Sequence, residues 1–329
     1  MTITDIRPGI GFAASAAIAV LLWAWPVAAA DKLTVILDWF VNPDHAPLVI
    51  AREHGLFARQ GLEVELIAPA DPNDPPKLVA AGRAELAIGY QPQLQVFVGE
   101  GLPLKRIATL IATPLNSLVV LADGPIKNIA ELKGRKVGFS VGGFEDALLK
   151  TMLARHGLGL ADVELINVNF SLSPALLSGQ VDAVIGAFRN FELNQMDLAG
   201  RPGRAFLVEE EGVPAYDELV ILAHADKLGD PRLRRFVDAL EQAVQFLINH
   251  PDQAWTLFVR AEPGLDDELN RRAWRDTMPR FALRPGALDH ARYARFAKFL
   301  AEQGLIKAPL AVAAYAVELP GLDLDEPVR

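Results

Sequence analysis

The pattern of apolar and polar positions between residues 33 and 66 predicts a strand, a turn, a helix and a second strand in close succession. Residues 33–37 are an apolar run typical of a buried strand, and residues 47–57 form a helical pattern that Gly55 and Gly61 stop. Open α/β sheets bind their ligands at the carboxyl ends of their strands. The turn after the first strand therefore predicts a binding segment, and it carries Asp38, Trp39, Phe40, Asn42 and His45.

An internal similarity predicts that the chain builds two alike units. Residues 79–90 (VAAGRAELAIGY) align without a gap with residues 176–187 (LLSGQVDAVIGA). Each copy has the pattern of a helix end, a glycine turn, an acidic residue and a buried strand. About 300 residues follow residue 30, which is more than one hydrophobic core usually holds. Both observations favour an α/β protein with two lobes, and chance similarity between two αβ units is the alternative.

The strand patterns suggest where the chain passes between these lobes. We place the first crossing after the strand at residues 118–121, near residues 122–125, and the return at the strand of residues 219–223. The predicted hinge segments are residues 122–125 and residues 218–220. The predicted organisation is a leader, a first part of lobe 1, lobe 2, and a return to lobe 1 with C-terminal helices: residues 1–30, 31–122, 123–218 and 219–329.

The C-terminal region is predicted to be mostly helical. Residues 233–248 are strongly amphipathic, and Asp230 with Pro231 marks the helix start. A second helix is predicted over residues 287–303, closed by Gly304.

The first thirty residues have the pattern of a secretory signal peptide. Arg7 precedes an apolar stretch at residues 10–27, and Ala28 to Ala30 form a small-residue cleavage site before Asp31. An uncleaved membrane anchor is the alternative, because the stretch approaches the length of a span. We expect cleavage and a periplasmic location.

Composition excludes several classes of partner. The chain has 32 basic and 41 acidic residues, and its formal net charge of −9 argues against nucleic acid or an anionic membrane as partner. There is no cysteine, so disulfides, thiolate metal sites and a lipidated N-terminal cysteine are impossible. No zinc-protease, phosphate-loop or paired-histidine motif occurs. We expect a monomer without a cofactor or a metal.

One short motif points to catalysis. Residues 138–142 (GFSVG) match the G-x-S-x-G nucleophile elbow with Ser140 at its centre, between a predicted strand and a predicted helix. Histidines and carboxylates follow in the chain order of a hydrolase, but no His-Gly-Gly type oxyanion segment precedes the motif. The glycines that follow Ser140 fit a ligand-facing helix start equally well. A secreted serine hydrolase therefore remains an alternative.

Aromatic and polar side chains recur at other predicted strand ends. Tyr90 follows the strand of the first repeat copy, Asn116 precedes the crossing strand, and Asn190 and Glu192 follow the strand of the second copy. In a two-lobed α/β protein these ends face one cleft. Each side chain could equally serve local packing or a helix start. His45 could serve structure or ligand contact, and Pro43 and Asp44 could cap the following helix.

The chain resembles the NMT1/THI5-like solute-binding proteins over nearly all of the sequence after the leader, especially the branch that binds N-formyl-aminopyrimidine or hydroxymethylpyrimidine precursors of thiamine. The resemblance rests on the segments DWFVNPDH (38–45), PADPNDPPKLVAAG (69–82), PLNS (114–117), ELKGRKVGF (131–139), LLSGQVDAVIGAFRNFE (176–192) and EEEGVPAYDEL (209–219). It implies a type II periplasmic binding fold, with a hinge and a ligand cleft between two lobes, that serves an ABC permease and an ATPase.

A related eukaryotic branch synthesises the pyrimidine and carries a cysteine-rich iron site. This chain has no cysteine, and Gln91 aligns with the pyridoxal-binding lysine of those synthases. We therefore expect a binding protein and not an enzyme.

The expected ligand is a neutral or weakly basic aminopyrimidine. Aromatic rings would stack on its faces and carboxylates would accept hydrogen bonds from its amino group. Trp39 and Tyr90 are the stacking candidates, and Asp38 and Glu192 are the carboxylate candidates. The complete predicted binding set is Asp38, Trp39, Tyr90, Asn116, Glu145, Asn190, Glu192 and Tyr216. A sulfonate, nitrate or flavin precursor on the same scaffold is the alternative, and an anion would call for Arg189.

Overall fold

The computed structural model describes residues 1–2 and 29–321. Most of the predicted leader lies outside the described residues. Among the helices that are described, none has the length and apolarity needed to span a bilayer.

Ten strands form two five-stranded mixed sheets. The sheet orders are β2-β1-β3-β10-β4 and β7-β6-β8-β5-β9. The strands are β1 (Asp31–Ile36), β2 (Leu62–Ile67), β3 (Leu86–Gly89), β4 (Leu104–Ile111), β5 (Asn116–Leu121), β6 (Lys136–Phe139), β7 (Glu164–Asn167), β8 (Ala183–Phe188), β9 (Gly203–Leu207) and β10 (Leu219–His224).

Eleven α-helices are described around these sheets. They are α1 (Ala46–Glu53), α2 (Leu56–Arg59), α3 (Pro75–Ala80), α4 (Gln91–Gly99), α5 (Glu145–Arg155), α6 (Leu172–Leu177), α7 (Glu192–Leu198), α8 (Pro231–Asn249), α9 (Pro251–Ala261), α10 (Glu268–Thr277) and α11 (His290–Glu302). The structure confirms the α/β class and shows one sheet in each of two lobes.

The two sheets have the same strand order, which explains the internal similarity of the sequence. The repeated strands β3 and β8 each lie at the centre of their sheet. The acidic residues at matching positions of the two repeat copies make equivalent hydrogen bonds. Glu85 accepts the backbone amide of Thr34 in β1, and Asp182 accepts that of Lys136 in β6, both at 2.9 Å. Each acid thus ties the loop before the central strand to the neighbouring strand.

The predicted position of the first crossing is wrong. Strand β5 pairs with β8 and β9 and therefore belongs to the second sheet. The chain crosses at residues 112–115, between β4 and β5, and not near residues 122–125. The apolar run of β5 is equally suited to either sheet, and only its pairing partners distinguish them. The chain returns after β9, and β10 pairs with β3 and β4 in the first sheet.

One carboxylate joins the two crossings. Oε2 of Glu218, at the end of the return segment, accepts the backbone amides of Leu115 and Asn116 at 2.6 and 2.9 Å. The Tyr216 hydroxyl donates to the same oxygen at 3.1 Å. Burial raises the pKa of Glu218 to about 7, against the lowering effect of those hydrogen bonds and of Arg189. The connections between the lobes are therefore fixed to each other at Glu218.

Local sequence signals set several helix ends. The single helix predicted over residues 47–57 is two helices, because Gly55 adopts a left-handed φ of 70° between α1 and α2. Helix α8 begins as predicted, with the Asp230 carboxylate accepting the Arg232 amide and Pro231 in the first turn. It packs on the first lobe, where Phe236 stacks on Phe57 with ring centroids 5.1 Å apart.

Candidate functional site

A cavity lies between the lobes at the carboxyl ends of several strands, and the atom-free space there, counted together with the solvent at its opening, is about 420 Å³. Both lobes contribute to it. Its lining residues are Asp38, Trp39, Asn42, Asp44, Tyr90, Glu145, Leu172, Gly186, Phe188, Phe191 and Glu192. Five of the eight predicted binding residues are in this set: Asp38, Trp39, Tyr90, Glu145 and Glu192.

Asp38 is held on both of its oxygens. His45 donates from Nε2 to Oδ1 at 2.9 Å, and the Tyr90 hydroxyl donates to Oδ2 at 3.0 Å. The backbone amide of Asn42 donates to Nδ1 of His45 at 3.2 Å, which places the imidazole proton on Nε2. His45 is fully buried and supports Asp38 from behind the cavity. Burial and the neighbouring Asp38 charge raise the pKa of Tyr90, so its hydroxyl remains a donor.

Asp44 lines the cavity, and its interpretation as a helix cap is wrong. Asn42 is the cap of the short 3-10 turn Pro43–His45, and its Oδ1 accepts the Asp44 amide at 2.8 Å. This frees the Asp44 carboxylate, whose Oδ1 accepts from Asn190 at 2.6 Å and from Thr277 at 2.8 Å. Burial raises the pKa of Asp44 to about 6, and the nearby Asp38 charge adds to the effect.

Glu145 extends from the start of α5 into the cavity. Its Oε2 accepts the amides of Ser140 and Val141 at 2.8 and 3.0 Å. Burial raises the pKa of Glu145 to about 8, although these two hydrogen bonds act in the opposite direction. Gly186 makes room for the carboxylate, since a Cβ at that position would lie 2.4 Å from Oε1.

Glu192 is the first residue of α7 and reaches back to the end of β8. Its Oε2 accepts the Phe188 amide at 2.7 Å. Burial raises the pKa of Glu192 to about 7, and the charge of Asp44 contributes in the same direction. Four carboxylates therefore line the cavity, and its lining contains no lysine, arginine or histidine.

Aromatic rings form the remaining walls. Trp39 meets Phe170 of the second lobe edge to face at 4.6 Å, and Phe40 lies 4.7 Å from the same ring. Tyr90 stacks on Phe144 at 5.0 Å, so one of its faces is already covered. The lining also includes Phe188, which meets Tyr90 edge to face at 6.4 Å. The stacking role predicted for Tyr90 is thus restricted to its other face.

Three predicted binding residues lie behind the lining. Asn116 Oδ1 accepts the Gly186 amide at 3.1 Å, and Asn190 donates to Asp44. Tyr216 is fully buried and donates to Glu218. Each of the three positions a neighbour. Conversely, the prediction omitted Asn42, Asp44, Leu172, Gly186, Phe188 and Phe191, although Asn42, Phe188 and Phe191 were recognisable as side chains at strand ends.

Arg189, the residue that an anionic ligand would require, is engaged elsewhere. Its guanidinium donates to both carboxylate oxygens of Glu209, at 2.5 and 2.9 Å. It also donates to the carbonyls of Leu115 and Asn116. Arg189 is absent from the cavity lining.

Polar contacts hold the two lobes together around the cavity. The Asn73 amide of the first lobe donates to the Ser140 carbonyl at 3.2 Å, and its Oδ1 accepts the Gly142 amide at 3.0 Å. Asn190 of the second lobe reaches Asp44 of the first. The GFSVG segment therefore provides the docking point for Asn73.

Ser140 does not have the surroundings of a nucleophile. Its hydroxyl donates to the Asn169 carbonyl, and the side chain is 1% exposed. Among the described residues it has no hydrogen bond to a histidine. Ser140 instead fixes the backbone beside Phe170, where Asn169 has a left-handed φ of 51°.

We expect Ser140→Ala to leave ligand affinity within about tenfold, a change of about 1.4 kcal/mol, because the hydroxyl donates to the Asn169 carbonyl and Ser140 is not a lining residue of the cavity. Ser178→Ala, which removes another hydroxyl bonded to a backbone carbonyl in the same lobe, is the matched control. Titration calorimetry and an ester-hydrolysis assay check the result. An esterase activity that Ser140→Ala abolishes, and Ser178→Ala does not, would overturn this account of Ser140.

Comparisons with known proteins identify the family and the fold. The family model described as NMT1/THI5 like matches residues 42–254. A Haemophilus influenzae protein named for thiamine biosynthesis is 53% identical over 300 residues, covering 91% of this chain and 96% of that protein. A formylaminopyrimidine-binding protein of Halalkalibacterium halodurans is 34% identical over 245 residues, covering 74% and 73%.

More distant relatives include a Saccharomyces cerevisiae 4-amino-5-hydroxymethyl-2-methylpyrimidine phosphate synthase, 23% identical over 256 residues and covering 74% of this chain and 75% of that protein. Among solved structures, the alkanesulfonate-binding protein SsuA of Xanthomonas axonopodis pv. citri has a TM-score of 0.70 at 17% identity, covering 88% of this chain and 99% of that one. The structural similarity confirms the two-lobed periplasmic binding fold.

Proposed function

The chain belongs to the NMT1/THI5-like family, and from that premise we propose that it is the solute-binding component of an ABC importer whose ligand is an aminopyrimidine precursor of thiamine. The relatives that match most of its length include one named for binding a formylaminopyrimidine. The resemblance stated from the sequence is confirmed at the level of the family.

The observation that carries the proposal is the composition of the interlobe cavity. It combines aromatic side chains, which offer flat surfaces, with four carboxylates, which offer only acceptors when ionised. A planar heterocycle with exocyclic amino groups matches both features. Ring faces gain about 0.5–1.5 kcal/mol from aromatic contact beyond area burial. Charge-assisted hydrogen bonds from the ring edge to a carboxylate are about twice as strong as neutral ones.

The same composition disfavours the sulfonate or nitrate alternative. An anion in this cavity would meet the carboxyl groups of Asp38, Asp44, Glu145 and Glu192 and no lysine or arginine. Arg189 is paired with Glu209. The sulfonate-binding protein of similar fold is 17% identical, and that similarity bears on the fold alone.

A synthase function also lacks support at the position of the pyridoxal-binding lysine of the related synthases. By the resemblance stated from the sequence, Gln91 stands where those synthases carry a pyridoxal-binding lysine, and an amide cannot form a Schiff base. Gln91 is buried and accepts the Asp217 amide at 2.8 Å. Its role is therefore to anchor the start of α4 to the return segment.

The location and the partners follow from this proposal. A cleaved leader ending before Asp31 would deliver the protein to the periplasm. There it would present bound ligand to a membrane permease with an associated ATPase.

Glu192→Gln is expected to erase most of the preference for an amino over a carbonyl substituent on the ring. The glutamine can still accept the Phe188 amide, but its NH₂ replaces the acceptor that faces the cavity. We expect at least about a tenfold loss of selectivity, or about 1.4 kcal/mol. Titration of an aminopyrimidine and its oxo analogue measures it. Asp197→Asn, which removes an exposed charge from the same helix, is the control; equal effects of the two variants would count against direct recognition by Glu192.

A further inference from the structure

Three aromatic rings meet across the cleft beside the cavity. Trp39 and Phe40 follow β1 in the first lobe, and Phe170 lies in the loop between β7 and α6 of the second lobe. The ring centroid of Phe170 lies 4.6 Å from that of Trp39 and 4.7 Å from that of Phe40. Trp39 also packs against the apolar cluster of the second lobe that includes Val168 and Leu172. This contact therefore joins the lobes through apolar surface.

The three rings lie at the rim of the cavity. Trp39 is a lining residue, whereas Phe40 is absent from the lining and is 55% exposed. Phe170 is half-buried and contacts both of them. A side chain that touches a lining residue on one side and a solvent-exposed residue on the other lies at the boundary between the cavity and bulk water. Separation of the lobes would expose all three rings to water, which opposes opening.

The loop that carries Phe170 is held in an unusual backbone conformation. Among the described residues, Asn169 is the one non-glycine residue with a positive φ, 51°, a conformation that asparagine adopts more readily than most residues. The Asn167 side chain accepts the Asn169 amide at 2.8 Å, and the Ser140 hydroxyl donates to the Asn169 carbonyl. These bonds fix the peptide next to Phe170, so Ser140 helps to position the ring.

We propose that Phe170 is a ligand-retaining residue: it covers the rim of the cavity between Trp39 and Phe40 and slows the release of bound ligand. The proposal rests on the proposed function for the identity of the ligand. Ligand enters before the lobes close and leaves after they open. Contacts across the cleft therefore act on the dissociation rate more than on the association rate. Aromatic pairs at these separations attract each other beyond the effect of the area that they bury.

Stopped-flow measurements with N-formyl-4-amino-5-aminomethyl-2-methylpyrimidine as the probe test the proposal. We expect Phe170→Ala to raise the dissociation rate at least about tenfold, or 1.4 kcal/mol, without slowing association. Phe170→Tyr keeps the ring and should release the probe at close to the unmodified rate. An unchanged dissociation rate in Phe170→Ala, or slower association in its place, would overturn the retaining role and leave the pyrimidine-binding function standing.

Phe246→Ala is the matched control. Phe246 is also half-buried and packs against two rings, those of His54 and His250, and it is absent from the cavity lining. Equal acceleration of release by Phe246→Ala and Phe170→Ala would contradict the proposal, because a general loosening of the protein would then explain both. Phe40→Ala combined with Phe170→Ala should accelerate release by less than the product of the two single effects, since both changes remove the same contact. Independent effects of the two would show that the rings do not act together.

A measurement without ligand keeps this proposal distinct from the proposed function. Trp39 lies beside Phe170, whereas Trp255 and Trp274 lie in α9 and α10. Acrylamide quenching of Trp39, taken as the difference between each protein and its Trp39→Phe counterpart, should increase in Phe170→Ala and stay unchanged in Phe246→Ala. If the probe does not bind the unmodified protein, the proposed function fails and the quenching decides the ring contact. Equal quenching of Trp39 with and without the Phe170 ring would overturn that contact and the retaining role with it.

Discussion

Replacing Gly186 with alanine is expected to weaken ligand binding by at least about tenfold, or 1.4 kcal/mol. The new Cβ would lie 2.4 Å from Oε1 and 2.6 Å from Cδ of Glu145, so the carboxylate must move. Movement would break its hydrogen bonds with the amides of Ser140 and Val141. The φ of +96° at Gly186 adds backbone strain of about 1–2 kcal/mol for any other residue.

Gly179→Ala is the matched control for this prediction. Gly179 also has a positive φ, 76°, but a Cβ there meets nothing within 4 Å. It therefore reports backbone strain without displacement of Glu145. Adding Gly186→Ala to Glu145→Ala should cost little further affinity if the effect passes through Glu145. Affinity losses of equal size for Gly186→Ala and Gly179→Ala would contradict this explanation.

Glu218→Ala is expected to lower the free energy of unfolding by about 2–5 kcal/mol. It leaves the amides of Leu115 and Asn116 unpaired, and each buried unpaired amide costs about 1–3 kcal/mol. Glu218→Gln keeps an acceptor oxygen, and it resembles the protonated acid, whose pKa lies at about 7. The glutamine variant should therefore retain most of the stability.

Urea unfolding of the two Glu218 variants measures this difference. Similar midpoints for Glu218→Ala and the unmodified protein would show that the two crossings are not held by the carboxylate. In that case the connection between the lobes would depend on the surrounding packing of Tyr216, which meets Phe296 at 5.2 Å.

Local patterns in the sequence predicted much of the architecture. The repeated glycine-acid-strand pattern predicted two similar units because the acid makes the same contact in both copies: Glu85 accepts the Thr34 amide, and Asp182 accepts the Lys136 amide. The start of α8 was predictable because Asp230 and Pro231 act on their immediate neighbours. The lobe of β5 was not predictable, since strand pairing is a long-range property.

The sequence predicted part of the candidate site. Strand ends predicted Asp38, Trp39 and Glu192 at one cavity, because each of the two sheets presents the carboxyl ends of its parallel strands to the space between the lobes. Asp44 was missed because its sequence position fits a helix cap, a role that Asn42 fills. Asn116 and Tyr216 were assigned to the ligand because sequence position does not show which way a side chain faces.

Titration of the unfolded and refolded protein, freed of any cargo from the producing cells, tests the central claim most directly. The ligands are a 4-aminopyrimidine, its oxo analogue and taurine. The four carboxylates of the cavity and the engagement of Arg189 by Glu209 predict binding of the aminopyrimidine, weaker binding of the oxo analogue and none of taurine. Tight binding of taurine with no response to the aminopyrimidine would contradict the account.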